Sequence, residues 1–367
     1  MKTSSYPRRL VPLAVAALLL AACGEDDEPD AAAGDEEDAE QEADTDGEAG
    51  EGEEDAEPED LPVIRVGYIG TGSFASLMVT ASLFAEEEGF QVELIDYPNG
   101  AEILTGVVTG DLDVGAAGIG SGAYNSFDEG LPFEMVAPQH NGYVEDYFML
   151  GSAIVDSQEE AAQAAEDLTP YAGETFTVNA PGVVTEFLLD VGLQRGGLSF
   201  DDVNVEYLPF PDMVPAFAEG SVVGGIVSEP FPTAAEADGT AFRPWETPDE
   251  EPFPFTVIIY NSDWSASNPD LAEAYMRAHH STAQLLDERG WDDDEVLDII
   301  AEWSGLEPDT LRGTRTHHLP VDLSVNFDDV RTIQEFYLEQ GTLSYDELVD
   351  DSELWNLSWR DAVVEGG

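Results

Sequence analysis

The apolar positions of this chain change period as it proceeds, and the changes mark its elements. Val63 to Tyr68 is a short apolar run that breaks at Gly70-Thr71-Gly72-Ser73, which predicts a strand leaving into a tight turn. Phe74 to Glu88 has helical spacing and stops at Gly89. Gln91 to Tyr97 reads as a second strand, and Ala101 to Thr109 as a helix closed by Gly110. Val114 to Ala117 is a third strand, running into Gly118, Gly120, Ser121 and Gly122. A helix to Glu129 and a strand near Phe133 to Ala137 follow. The cycle then repeats. Helices are predicted over Glu159–Asp167, Val184–Gln194 and Met213–Ala218, with a further one opening at Ala234–Ala237. Strands are predicted over Thr175–Asn179, Asp202–Leu208, Val222–Val227 and Phe253–Tyr260. Beyond Pro269 the pattern is helical: Leu271–Arg289, Asp292–Ser304, Asp328–Gln340 and Tyr345–Val349.

Short strands alternating with helices predict an α/β fold. The expectation is two lobes, each a mostly parallel sheet flanked by helices. Lobe 1 is placed at 63–150 together with 255–367, and lobe 2 at 151–254. The two crossings between them form a hinge.

Three small-residue turns follow strand ends: Gly70 to Ser73, Gly118 to Gly122, and Ala180-Pro181-Gly182-Val183-Val184-Thr185. In open α/β sheets, ligands sit in the crevice beyond the carboxyl ends of the strands. Helix starts there present unpaired N–H groups, and small residues let a ligand approach them. Ser73, Ser121 and Thr185 add hydroxyls. Each turn alone equally well caps a helix; three of them, divided between two lobes, point to a ligand. Tyr124 lies close to one such turn, although core packing explains a single aromatic residue as well. Gly70-Thr71-Gly72 lacks the third glycine of a dinucleotide fingerprint, since that position is Ala75.

The chain opens with Lys2, Arg8 and Arg9, followed by thirteen residues from Leu10 to Ala22 that are apolar except for Pro12. This reads as an export signal, too short to span a bilayer comfortably. Leu20-Ala21-Ala22-Cys23 resembles the lipobox of secreted lipoproteins, which implies cleavage before Cys23 and acylation of its thiol. Residues 1–22 are then the signal peptide. Cys23 is the only cysteine, so no internal disulfide can form. Residues 23–62 form a tether: between Gly24 and Asp60, 21 of 37 residues are Asp or Glu and none is basic. Such a segment repels itself and cannot bury apolar area.

The remaining part holds 58 acidic side chains against nine arginines, a formal charge of −49. That charge argues against nucleic acid as a partner, since phosphates would be repelled. A high-salt environment, which screens such repulsion, is the economical reason for it. The expected observation is a gain in stability and solubility between dilute buffer and molar salt.

No nucleophile elbow is present, because Ser121 falls one place late in Gly118-Ile119-Gly120-Ser121-Gly122. The His279-His280 and His317-His318 pairs lack the spacing of a zinc protease, and Asp292 to Asp294 lack the glycine of a calcium loop. Neither catalysis nor a cofactor or metal is expected.

Taken in order, several stretches resemble the nitrate/sulfonate/taurine-type ABC-transporter substrate-binding proteins, the NMT1/THI5-like class. They include Val66-Gly67-Tyr68, Gly89-Phe90-Gln91-Val92-Glu93-Leu94 and Gly110-Asp111-Leu112-Asp113-Val114-Gly115. In the second half they are Phe200-Asp201-Asp202-Val203, Phe210-Pro211-Asp212-Met213-Val214-Pro215-Ala216-Phe217 and Ser228-Glu229-Pro230-Phe231. One departure is that Gly224-Gly225 stands where the family usually has Asp-Ala. The resemblance implies a periplasmic-binding-type fold (type II) that closes on a small molecule without chemistry. The captured molecule would pass to an ABC permease from a monomer anchored outside the membrane through Cys23. It implies ligand contacts at Gly72, Ser73, Phe74, Gly120, Ser121, Gly182, Val183, Thr185, Glu229 and Pro230. Arg65 sits within a strand and Arg195 ends a helix, so a neutral or aromatic ligand is favoured over a small anion. Two alternatives stay open: a pyrimidine-precursor enzyme of the same fold, and a ligand-sensing lipoprotein without a transporter.

Overall fold

A computed structural model describes residues 61–245, 253–304, 307–312, 314 and 318–364. The signal, Cys23, the tether up to residue 60 and His317 lie outside the described residues. Among the described residues, ten strands form two five-stranded sheets. They are β1 (Val63–Tyr68), β2 (Gln91–Asp96), β3 (Val114–Gly118), β4 (Glu134–Gly142), β5 (Phe148–Gly151), β6 (Thr175–Val178), β7 (Asn204–Tyr207), β8 (Gly224–Ile226), β9 (Ala241–Phe242) and β10 (Phe253–Tyr260). The first sheet has the order β2-β1-β3-β10-β4 and the second β7-β6-β8-β5-β9.

Both sheets are mixed, which corrects the expectation of mostly parallel sheets. In the first, β1 pairs in parallel with β2 and β3, while β10 runs antiparallel to β3 and β4. In the second, β6 pairs in parallel with β7 and β8, while β5 runs antiparallel to β8 and β9. The cause is the double crossing. Strands that lead into helices end at the gap between the sheets. β5 and β10 arrive from the other sheet, so they start at that gap and run the opposite way.

The interior strands are buried on both faces, as helices on either side require. Ile64 and Val66 of β1 and Val257, Ile258 and Ile259 of β10 are at most 2% exposed. Each fully buried aliphatic side chain of this kind contributes roughly 1.5–3 kcal/mol. The helix Pro269–Arg289 buries Ala272, Tyr275, Met276, His279, Ala283 and Leu286 at three- and four-residue spacing, which seats it against the first sheet. The helix Phe327–Glu339 does more. Its Phe336 ring meets Phe187 and Phe200 edge-on at 5.8 and 5.7 Å, and Tyr337 packs on Tyr124. It therefore touches the helices of both halves.

The helix expected at Tyr345–Val349 does not form. The Gln334 side chain accepts from the Val349 N–H at 2.7 Å, and the Ser344 N–H donates to the Asn125 side chain. These tertiary bonds take backbone groups that a helix would need. The short strand β5, the two-residue β9 and the helices Val144–Tyr147 and Ser358–Val364 carry too little periodicity to be read from the sequence.

Candidate functional site in the interlobe crevice

All three small-residue turns come together where the two sheets face each other. After β1, Gly72–Phe74 makes a single 3-10 turn whose N-cap, Thr71, makes no side-chain cap bond. After β3, Gly120 precedes the helix Ser121–Asp128, again with no side-chain cap. After β6, Asn179 to Val184 leads into the helix Thr185–Arg195, also uncapped by a side chain. The loop after β8 carries Ser228, Glu229 and Pro230, joined by a cis peptide between the last two.

These loops touch across the gap. The Gly72 N–H donates to the Glu229 carbonyl at 2.8 Å. The Ser73 and Ser228 hydroxyls lie 2.7 Å apart. The Gly122 N–H reaches the Gly182 carbonyl at 3.5 Å, and the Tyr337 hydroxyl donates to the Val183 carbonyl at 2.7 Å. Two glycines make this approach possible. A Cβ on Gly120 would stand 2.1 Å from the Gly182 oxygen, and Gly182 itself has φ of +70°. The halves are thus closed on each other. Two cavities of about 20 Å³ lie among these turns, each the size of about one water molecule.

The larger share of the crevice lining is hydroxyl, amide and apolar. Ser73, Thr71, Asn179, Thr185, Ser228 and Thr256 supply the polar atoms, and Phe74, Phe210 and Phe255 supply apolar surface. The Thr185 hydroxyl donates to the Asn179 side chain at 2.7 Å. Thr71 is 6% exposed, and its hydroxyl has no partner. An unmet buried hydroxyl costs about 1–3 kcal/mol, so this atom is poised to bond something that enters.

Behind the lining lies a buried polar strip. The Gln139 side-chain NH₂ donates to the Ser73 carbonyl at 2.9 Å, and its carbonyl accepts from Thr256. His140 is 2.7 Å from both the Thr256 and Tyr147 hydroxyls. Burial raises the Tyr147 phenol well above its usual range, with Asp146 adding to it, so it stays protonated. Its ring stacks on Phe255 at 4.6 Å.

Glu229 is at the crevice through its carbonyl only. Its carboxylate turns away to Arg243, at 2.6 Å, and to the Thr233 hydroxyl. Burial works to lower the Arg243 guanidinium, but the bonds to Glu236 and Glu229 outweigh it and hold it above its usual value. Arg65 is paired with Asp113, and Arg195 with Glu145 while it stacks over Trp245 at 4.7 Å. None of these guanidiniums lines the crevice.

Of the residues anticipated from sequence, Gly72, Ser73, Phe74, Gly120, Gly182, Val183 and Thr185 meet at the crevice. Ser121 is buried beside Gly182. Pro230 lines an adjoining cavity on the outer side of Thr71. Tyr124 is a core residue: it is 0% exposed, and its hydroxyl donates to the Val330 carbonyl at 3.1 Å. Sequence reasoning did not single out Thr71, Asn179, Phe210, Ser228, Phe255 or Thr256 as contacts. Asn179 directly follows β6 and Ser228 closely follows β8, a signal that was legible. Thr256 lies inside the antiparallel crossing strand β10, and strand–helix alternation does not mark such a position. Among the described residues, no group of three or more His, Cys, Asp or Glu side chains is placed to hold a metal ion.

Two α/β halves, crossed twice by the chain and closing loop against loop, define the bilobed architecture of periplasmic-type binding proteins. The ligand-binding component of an ABC-type import system from Staphylococcus aureus, solved with zinc bound, superposes with a TM-score of 0.67 at 16% identity; the match covers 82% of this chain and 99% of that one. The alkanesulfonate-binding protein of Xanthomonas axonopodis pv. citri, solved with MOPS, gives 0.62 at 18% identity, with coverage of 82% and 99%. The chain belongs to the NMT1-like family, which it matches over residues 57–303. It is 23% identical over 221 residues to the taurine-binding periplasmic protein of Escherichia coli (strain K12), a match covering 59% of this chain and 63% of that protein. The aligned part is thus just under two thirds of the length of that curated relative.

Proposed function

We propose that this chain is the solute-binding component of an ABC importer, exported and held at the outer face of the membrane by a lipid on Cys23. A small organic molecule is captured as a monomer's two halves close, and the closed form is what the permease reads. The halves turn about the crossings that follow β4 and β9. The observation that carries this reading is the closure itself. Loops from two separate sheets meet through main-chain groups and hydroxyls, beside helix starts that no side chain caps. A solute that bonds both faces favours the closed arrangement by its differential contact with it.

A neutral or ring-bearing solute suits this lining better than a small anion. The crevice offers hydroxyls, the Asn179 amide and phenylalanine rings, and the nearest guanidinium, Arg243, is already matched by two carboxylates. The relatives named for taurine and alkanesulfonate make sulfonates the fair comparison. Native mass spectrometry of the purified chain tests the reading, followed by calorimetry of whatever co-purifies against taurine and methanesulfonate. One small molecule per chain, bound more tightly than either sulfonate, is the expected result. Catalytic turnover of that molecule, or binding indifferent to Asn179→Ala, would overturn it.

A further inference from the structure

A cavity beside the crevice has a volume of about 350 Å³, within the range of small-molecule pockets. It lies between the loop after β1, the loop after β8 and the C-terminal end of the helix Asp294–Ser304. Three aromatic side chains wall it: Tyr68, Phe231 and Trp303. Trp303 is 42% exposed, so its ring is accessible to a ligand. Asp96 and Glu229 are among the other lining residues, and none of the described lining residues is basic. Glu229 is answered by Arg243. Asp96 accepts the Gly70 N–H at 3.0 Å and stands exposed at the rim. The unpartnered hydroxyl of Thr71 belongs to a residue lining both this cavity and the crevice.

We propose that this cavity is a second binding site, distinct from the crevice, and that it takes a ring-bearing organic cation. Tryptophan and tyrosine faces attract a cation through their quadrupoles, and a carboxylate at the rim adds Coulomb attraction. Burial first, and the charge of Asp96 second, hold the Tyr68 phenol above its usual value, which agrees with a negative, partly desolvated wall. The net charge of −67 concentrates cations near every face, so the claim is about the aromatic walls and shape, beyond general attraction. It does not depend on what the crevice holds.

Isothermal titration calorimetry of the intact mature chain tests this with three probes of similar size: benzyltrimethylammonium, benzyl alcohol and benzenesulfonate. The expected result is saturable one-to-one binding of the cation, about tenfold or more tighter than the alcohol, with no heat from the sulfonate. Trp303→Ala should weaken the cation about tenfold and Trp303→Phe only about twofold to threefold, in the range set by cation–ring attraction. Asp96→Asn, at an exposed position, should weaken it about threefold to tenfold, a loss that molar salt erases. Equal affinity for cation and alcohol would overturn the proposal. So would cation binding that neither Trp303→Ala nor Asp96→Asn changes, which would mark it as general attraction to an acidic surface.

Discussion

Two of the seams along which the halves of this protein meet are made of different material. At the loops, contact is backbone on backbone: Gly72 to Glu229, and Gly122 to Gly182. One hydroxyl pair, Ser73 with Ser228, joins them. Where the chain crosses, contact is through buried side chains: Gln139, His140, Tyr147 and Thr256 in one hydrogen-bonded strip. The loop seam has little to lose when it opens, because main-chain groups can bond water or a solute instead. The crossing seam cannot open without stranding buried polar atoms. A molecule that must part and close again around its ligand needs one seam of each kind.

The largest expected effect lies behind the loop seam. Arg243→Ala leaves the Glu229 carboxylate buried without the guanidinium that balances its charge, both side chains being at most 5% exposed. Breaking such a pair costs about 3–5 kcal/mol, to be read as a fall in the urea midpoint. Glu229→Gln in the same chain should return much of that loss; a double variant no better than the single one would place the damage elsewhere.

The next effect lies beside the crossing seam and depends on pH. His279 is fully buried in the helix beside β4, and its Nε2 bonds the Pro138 carbonyl at 2.9 Å. Burial pushes the imidazole down to about 4, and His280 pushes in the same direction. Its folded value is thus below its unfolded value near 6.5. The unfolded chain binds the extra proton, so the stability is complete above pH 6.5 and is lost as pH falls toward 4. The loss is on the order of 3 kcal/mol. His279→Gln should flatten that slope; a variant that keeps the parent's slope would sink the assignment.

Gly120→Ala tests the loop seam directly. Its Cβ would meet the Gly182 oxygen at 2.1 Å and the Val183 Cα at 2.8 Å. Overpacking of this kind costs about 1–3 kcal/mol. Here the expense falls on closure, so small-angle scattering should show a larger radius of gyration while the unfolding midpoint stays near the parent's. An unchanged radius would mean that the seam tolerates crowding and that the comparison is wrong.

The smallest effect is that of Tyr147→Phe. It removes the hydroxyl facing His140 at 2.7 Å while keeping the ring stacked on Phe255. A loss of about 1 kcal/mol in global stability is expected. If scattering instead showed the halves parting, the crossing seam would be a latch and not a fixed hinge.

The contrast between the seams also explains how much of the site was legible. The turns at Gly72, Gly120 and Gly182 announced themselves because close backbone approach demands residues without side-chain bulk. The crossing strip gave no such sign. Gln139, His140 and Thr256 sit among ordinary strand residues, and nothing in their spacing shows that they face one another. Tyr124 misled for the converse reason: it stands beside a turn, yet its helix directs it into the core against Tyr337. Glu229 lay in the right loop with its carboxylate pointing the wrong way.

By itself, the sequence determined that strands and helices alternate, where the turns fall, and that small residues gather at strand ends. Those follow from local periodicity and backbone sterics, which act over a few residues. Tertiary structure alone decided that β5 and β10 run against their neighbours, that Tyr345–Val349 is kept out of a helix, with Gln334 taking the Val349 N–H, and that two loops far apart in the chain share a hydrogen bond. Strand direction, long-range bonding and crevice shape depend on which surfaces are buried together. That outcome is set by the packing of the whole chain, and no short window of residues contains it.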